Sequence, residues 1–224
     1  MKTLELNKIY KGNCLDVLKT FPDESIDMCI TSPPYWGLRD YGTATWEGGD
    51  TDCSHKIPSS ESDPKQVFDG NMGSHVIRYN RTHCKNCGAK RIDDQLGLEK
   101  TPEEYVENLA NVFDEVKRVL RSHGSCWVNL GDTYGGSGNA SGHTGETKNL
   151  GKKTSIYGAT KGITQNLMPK CLIQIPSRFA IEMVNRGWTL RNELIWHKPS
   201  CMPSSIKDRY TVDFEKLFFF TKNR

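Results

Sequence analysis

The stretch Ile26-Asp27-Met28-Cys29-Ile30-Thr31-Ser32-Pro33-Pro34-Tyr35-Trp36 decides the fold. It opens with a short apolar run, Ile26 to Ile30. A turn at Phe21-Pro22-Asp23-Glu24 precedes the run and Pro33 closes it, which fits a buried strand of a parallel sheet. Two prolines stop strand and helix alike, so Thr31 to Trp36 reads as a rigid loop at the strand's C-terminal end. Open α/β sheets bind ligands at that edge. Each proline lacks an N–H but keeps its carbonyl. The loop therefore presents acceptors in a fixed frame, together with the Ser32 hydroxyl and the flat faces of Tyr35 and Trp36. Such a set suits a planar ligand carrying an amino group, and a nucleobase fits that description. A Pro-Pro turn capped by core aromatics is the plainer alternative.

Working outward, helices and strands alternate. Asn13 to Leu18 reads as a short helix opening after Gly12. Thr101-Pro102-Glu103-Glu104 is a helix start, with Thr101 as N-cap, Pro102 in the first helical position and Glu104 completing a capping box. Tyr105, Leu109, Val112, Phe113, Val116, Val119 and Leu120 follow at helical spacing, and Gly124 is expected to end the helix before a strand at Ser125–Leu130. Beyond these, the pattern predicts a helix over Pro176–Arg186 closed by Gly187, a strand over Trp188–Trp196, a loop over Pro199–Asp208 and a last strand over Phe214–Phe220. The order implies an α/β domain built from residues 1–50, 92–134 and 170–224. Two irregular stretches interrupt it. Residues 51–91 read as an insertion. Residues 135–169 read as a flexible loop, with six glycines between Ser137 and Lys170 and a single acid, Glu146.

Composition narrows the class. The 224 residues are 36% hydrophobic and 25% charged, enough for a real core. The longest apolar run is Leu217-Phe218-Phe219-Phe220, too short for a membrane span. Met1 to Gly12 has no apolar signal segment, so a cytoplasmic location with reduced thiols is expected. The net charge of +3 permits an anionic partner without demanding one. Eight cysteines are too few for a disulfide scaffold, so clustered ones read first as metal ligands or catalytic groups.

One such cluster stands in the insertion. Cys53-Ser54-His55 and Cys84-Lys85-Asn86-Cys87-Gly88 give a C-x-H pair and a C-x₂-C pair, separated by 28 residues. Three cysteines and a histidine form a tetrahedral zinc set, and four protein ligands leave no open position for water, so the role would be structural. Few apolar residues accompany them, and a metal would compensate for the missing core. His75 and His83 compete for the histidine position. A flexible polar loop with incidental cysteines is the alternative.

The segment Asp27 to Tyr35 resembles the catalytic motif of the amino-methylating DNA methyltransferases, which move a methyl group from S-adenosylmethionine to the exocyclic nitrogen of adenine or cytosine. Further segments resemble the same family in order: Asn129 to Tyr134, Arg191 to Pro199 running on through Met202 to Arg209, and Phe214-Glu215. The resemblance implies a Rossmann-like sheet and a base flipped from double-stranded DNA into a pocket. It also implies that Ser32 and the Pro33 carbonyl hold the amino group, that Pro34 completes the loop, and that Tyr35 stacks on the base. Transfer would be direct, with positioning supplying most of the rate. Asn13 and Cys14 fall where the family has a cofactor-touching glycine-aspartate-cysteine segment, so Asn13 substitutes a neutral amide there, and Ser32 would face cofactor as well as base. No cysteine nucleophile is needed, so Cys14 and Cys29 read as small buried residues. Trp36, Lys148, Lys152, Lys153 and Lys161 are expected to contact DNA, the lysines along the phosphate backbone. Lys207 and Arg209 face DNA or cofactor.

The family's Phe-x-Gly-x-Gly loop for the methionine part of the cofactor is missing here. The chain therefore reads as an incomplete domain, to be completed by a C-terminal segment or a second copy. A catalytically silent nucleic-acid-binding subunit is the competing reading, and methylation of RNA or of a protein amide is a third. Serine before the two prolines, where adenine enzymes of this family mostly carry Asp or Asn, favours cytosine N4 over adenine N6.

Overall fold

The computed structural model describes residues 4–38, 41, 43–55, 83–84, 86–135, 167–201 and 206–223. The elements in chain order are α1 (Cys14–Lys19), β1 (Ile26–Thr31), β2 (Thr45–Glu47), β3 (Lys90–Ile92), α2 (Pro102–Val119), β4 (Leu120–Leu130), α3 (Ile175–Asn185), β5 (Thr189–His197) and β6 (Phe214–Thr221). They divide into two compact units, one of residues 1–40 with 96–224 and one of residues 41–95. Lys148, Lys152, Lys153 and Lys161 lie outside the described residues. No helix among the described residues is long and apolar enough to cross a membrane.

In the first unit the helix starts follow local chemistry. The Thr101 hydroxyl accepts the Glu104 N–H at 3.1 Å, with Pro102 in the first turn. The Glu104 carboxylate reaches back to the Lys100 N–H at 3.2 Å. The far end of α2 departs from the expected Gly124. It stops at Val119, and β4 begins at Leu120 without a loop. The cause is pairing with the incoming chain. The N–H groups of Glu24 and Ser25 take the carbonyls of Arg118 and Val119 at 3.1 and 2.8 Å, and Ile26 then pairs with Leu120. Gly124 falls in the irregular stretch between that pair and the next, Met28 with Ser125. Arg118 fixes the same corner by donating to the carbonyls of Leu18 and Phe21, at 2.9 and 3.0 Å.

The strand order is β1-β4-β6-β5. Strands β1 and β4 run parallel, with Ile30 beside Trp127 and Thr31 beside Val128. Strand β6 runs antiparallel to both its neighbours. The C-terminal ends of β1, β4 and β5 therefore gather at one sheet edge with the start of β6.

Alternation along the strands splits the sheet into two faces. Cys126, Val128, Leu130, Phe218 and Phe220 form one face and are fully buried. They pack with Tyr105, Leu109, Phe113 and Val116 of α2 and with Ile175, Phe179 and Met183 of α3. Phe179 is the hub, with ring centroids 5.2 Å from Phe113 and 6.1 Å from Phe220. On the opposite face Trp127 stacks on Phe219, centroids 4.2 Å apart. Strand β1 is less buried than its apolar run predicts, since Met28 and Ile30 are 54% and 69% exposed. Both lie on the face away from α2 and α3, and β1 is one of the sheet's two edge strands among the described residues.

In the second unit, β2 and β3 pair antiparallel, with Trp46 beside Arg91. Only Cys84 and Ala89 are buried among its described residues. The described residues of this unit, two short strands with little apolar burial, supply little hydrophobic stabilisation.

Candidate functional site

The loop after β1 stands at the sheet edge where the strand ends gather. Ser32 is exposed, Pro33 buried, and Pro34 and Tyr35 half-buried. The Pro34 carbonyl accepts the Tyr105 hydroxyl of α2 at 2.8 Å. Burial, then the nearby Glu99 carboxylate, pushes the Tyr105 phenol far above its ordinary pKa, so it stays a donor. Neither Ser32 nor the Pro33 carbonyl has a hydrogen-bond partner among the described residues. One carbonyl is thus anchored, while the acceptors expected to meet an amino group remain available.

Trp36 does not fit its expected contact with DNA. It is 1% exposed, belongs to the core and donates its Nε1–H to the Glu99 carbonyl at 3.0 Å. Its neighbours Tyr35 and Gly37 turn with it: Gly37 has φ 70° and donates to the Gly97 carbonyl at 2.9 Å. The tight turn sends two adjacent aromatic rings to different places, one inward and one to the site.

Tyr35 faces a cavity of about 370 Å³ whose wall includes Gly131, Asp132, Tyr134, Gln174, Pro176, Lys198, Glu215 and Lys216. These residues come from the ends of β4 and β5, the start of β6 and the start of α3. Two of these wall residues are carboxylates. Asp132 Oδ1 accepts the N–H groups of Thr133 and Ile175, at 2.9 and 3.0 Å. It thereby caps α3 from the loop after β4, since the N-cap residue Gln174 makes no side-chain cap bond and sits in the left-handed region at φ 65°. Burial raises the Asp132 pKa, and the Ile175 and Thr133 N–H bonds counter it only in part. Glu215 is shifted the other way. Burial alone would raise its pKa, but its ion pair with Lys198 and the Tyr35 hydrogen bond hold it below the ordinary carboxylate range. Arg209 stacks on the ring of Tyr134, a wall residue, with its guanidinium carbon 3.5 Å from the ring centroid.

The expected cofactor positions are less uniform. Asn13 Oδ1 accepts the Leu15 N–H at 3.0 Å and caps α1, so that oxygen is already engaged. Cys14 is exposed, contrary to its reading as a small buried residue, because six-residue α1 buries no side chain. Cys29 is half-buried and pairs in register with Cys126 of β4.

In the second unit Cys53, His55, Cys84 and Cys87 converge, and their ligand atoms all lie within 4.8 Å of one another. The sulfurs of Cys53 and Cys84 are 3.8 Å apart, and Cys87 Sγ is 3.3 Å from His55 Nδ1. Cys84 Sγ accepts the Asn86 N–H at 3.4 Å, and Gly88, at φ 74°, closes the turn through its N–H to the Cys84 carbonyl. Trp46 stacks on the His55 ring with centroids 5.0 Å apart. A β-carbon on Gly49 would stand 2.8 Å from Cys87 Sγ, so only glycine lets that backbone approach. His83 instead bridges to Lys90, and His75 lies outside the described residues.

A sequence profile described as DNA methylase matches residues 26–224. The chain belongs to this family. Type II methyltransferase M.Cfr9I of Citrobacter freundii is 34% identical over 222 residues, covering 98% of this chain and 56% of the relative. Type II methyltransferase M.SmaI of Serratia marcescens is 31% identical over 217 residues, covering 97% and 56%. The chain thus spans about half the length of the curated relatives it matches. Among solved structures, PvuII DNA methyltransferase (cytosine-N4-specific) aligns with TM-score 0.50 at 19% identity, over 95% of this chain and 48% of that one. That likeness concerns the fold, and it agrees with the α/β sheet described above.

Ser32 to Tyr35 are legible in the sequence, whereas no local pattern singles out Asn129, Gly131, Asp132, Lys198 or Glu215. All five stand in the segments that carry the family likeness, which was the available signal. The loop's anchor is directly testable. Tyr105→Phe should cost about 1–3 kcal/mol, because it leaves the Pro34 carbonyl without its donor. Urea unfolding of the two proteins measures this, and equal midpoints would show that the bond contributes nothing.

Proposed function

We propose that this chain forms the base-holding side of a DNA methyltransferase acting on an exocyclic amino group, with cytosine N4 as the target. The observation that carries the proposal is the loop at the sheet edge: two unpartnered acceptors at Ser32 and Pro33, beside an aromatic ring that walls a cavity. S-adenosylmethionine supplies the methyl group when bound. The protein's own part is orientation. The Ser32 hydroxyl and Pro33 carbonyl accept the two amino hydrogens and aim the nitrogen lone pair, while Tyr35 covers one face of the flipped base. Ser32 fits a place between base and cofactor, being exposed and unpartnered. Asn13 fits less well while its oxygen caps α1. Serine in place of a carboxylate at position 32 favours cytosine N4.

The product decides the base. Bulk DNA methylated by the methylase that carries this chain is hydrolysed to nucleosides, and N4-methylcytosine is expected. N6-methyladenine alone would overturn the cytosine assignment and keep the amino-methyltransferase reading. Modification at cytosine C5 would overturn both.

We also infer that one structural zinc ion holds the second unit through Cys53, His55, Cys84 and Cys87. Two thiolates about 2.3 Å from a tetrahedral ion stand about 3.8 Å apart, the separation found between Cys53 and Cys84. Nδ1 of His55, 3.3 Å from Cys87 Sγ, is the donor nitrogen. Protein purified without a histidine tag should contain close to one zinc per chain. Chelation should unfold residues 41–95 first, seen as early cleavage there by protease. Metal-free protein with equal protease resistance would reject the site.

A further inference from the structure

Three sequence-distant residues converge on the Tyr35 side chain. Its hydroxyl lies 2.6 Å from Asn129 Oδ1 of β4 and 3.1 Å from Glu215 Oε2 of β6, so two acceptors share one phenolic proton. Both acceptors are themselves fixed. Asn129 is buried and donates its Nδ2–H to the Lys216 carbonyl at 3.1 Å, which turns its oxygen toward Tyr35. Glu215 forms an ion pair with Lys198 through its other oxygen. The ring edge rests on Gly131, where an added β-carbon would stand 2.6 and 2.7 Å from ring carbons Cε2 and Cδ2. Behind it, an added β-carbon on Gly97 would stand 2.9 Å from the Tyr35 carbonyl.

We infer that Asn129, Gly131 and Glu215 are positioning residues that set the plane of the Tyr35 ring, and through it the stacking face offered to the target base. This rests on the proposed methyl transfer. A tyrosine side chain has two rotatable bonds before its ring. Packing against a residue without a side chain restricts one ring edge. Tethering the hydroxyl at the far end fixes the remaining freedom. The free face is then the cavity wall, and a tilt of this wall displaces the amino nitrogen at the other end of the base. A displacement of about 1 Å at a reacting centre can cost roughly 100-fold in rate. Glu215 acts through Tyr35 here and does not touch the reacting atoms.

Two measurements test the inference. The first needs no activity. In the 224-residue chain labelled with ring-¹³C tyrosine, the Tyr35 signal is assigned by its loss in Tyr35→Phe. Glu215→Ala and Asn129→Ala should each move or broaden that signal, while Glu215→Gln, which keeps an acceptor oxygen, should restore part of its position. An unmoved Tyr35 signal in both alanine variants overturns the inference. The second uses the methylase that carries this chain, with tritiated S-adenosylmethionine and bulk DNA. Glu215→Ala should lower kcat roughly 10- to 100-fold with little change in the KM for S-adenosylmethionine. Added to Tyr35→Phe it should cost no more than twofold further, since the group it holds is gone. A full multiplicative loss in the double variant would mean that Glu215 acts directly and would overturn the positioning role. Absence of methyl transfer by the wild-type methylase would instead defeat the proposed function, and the ring signal would still decide the tether.

Discussion

A β-carbon at position 131 would stand 2.6 Å from the Tyr35 ring, closer than any side chain tolerates. That close approach between the end of β4 and the loop after β1 orders the whole site. It requires β1 and β4 to lie side by side and parallel, so that their C-terminal ends arrive together, and Ile30–Trp127 and Thr31–Val128 are the last pairs before they do. It requires α2 to return the chain to the start of β4 in register, which Arg118 and the Glu24 and Ser25 amides enforce. Strand β6 then lies against β4 in the opposite sense, with Leu217 opposite Asn129, and Glu215 and Asn129 both reach the Tyr35 hydroxyl. The aromatic core around Phe179 holds α3 on the same face and delivers its N-terminus to Asp132.

The local chemistry of the sequence foretold much of this. A threonine, a proline and a glutamate spaced as a cap started α2 where expected, because those interactions involve near neighbours only. Its end was not legible. Gly124 carried the usual stop signal, but amides from the preceding β-turn claim the carbonyls of the last helical turn, and no local pattern reveals that. Trp36 failed for a similar reason. Adjacency to Tyr35 placed both rings at the site, yet the carbonyls of Gly97 and Glu99, some sixty residues away, turn Trp36 into the core. The roles of Asn129 and Glu215 were equally hidden, since their partner lies 94 and 180 residues away.

The second unit shows the reverse case. The convergence of its three cysteines and histidine was legible from spacing, because such a cluster is built from a few residue types at short intervals. The supporting groups were not. Trp46 behind His55 and the bare backbone at Gly49 follow from the pairing of β2 with β3, which unites segments on either side of a long intervening stretch. Only two buried residues are described there, and the proposed zinc would supply the cross-link that an apolar core supplies in the first unit.

Tyr35, fixed by distant strand ends, is the proposed wall against which a target base lies. A crystal structure of the methylase that carries this chain, bound to duplex DNA and a non-reactive analogue of S-adenosylmethionine, measures it directly. The predicted result is an extruded base parallel to the Tyr35 ring, in van der Waals contact, with its amino group within hydrogen-bond distance of Ser32 and the Pro33 carbonyl. A base extruded elsewhere, or a Tyr35 ring swung away from Asn129 and Glu215 in the complex, would contradict the account.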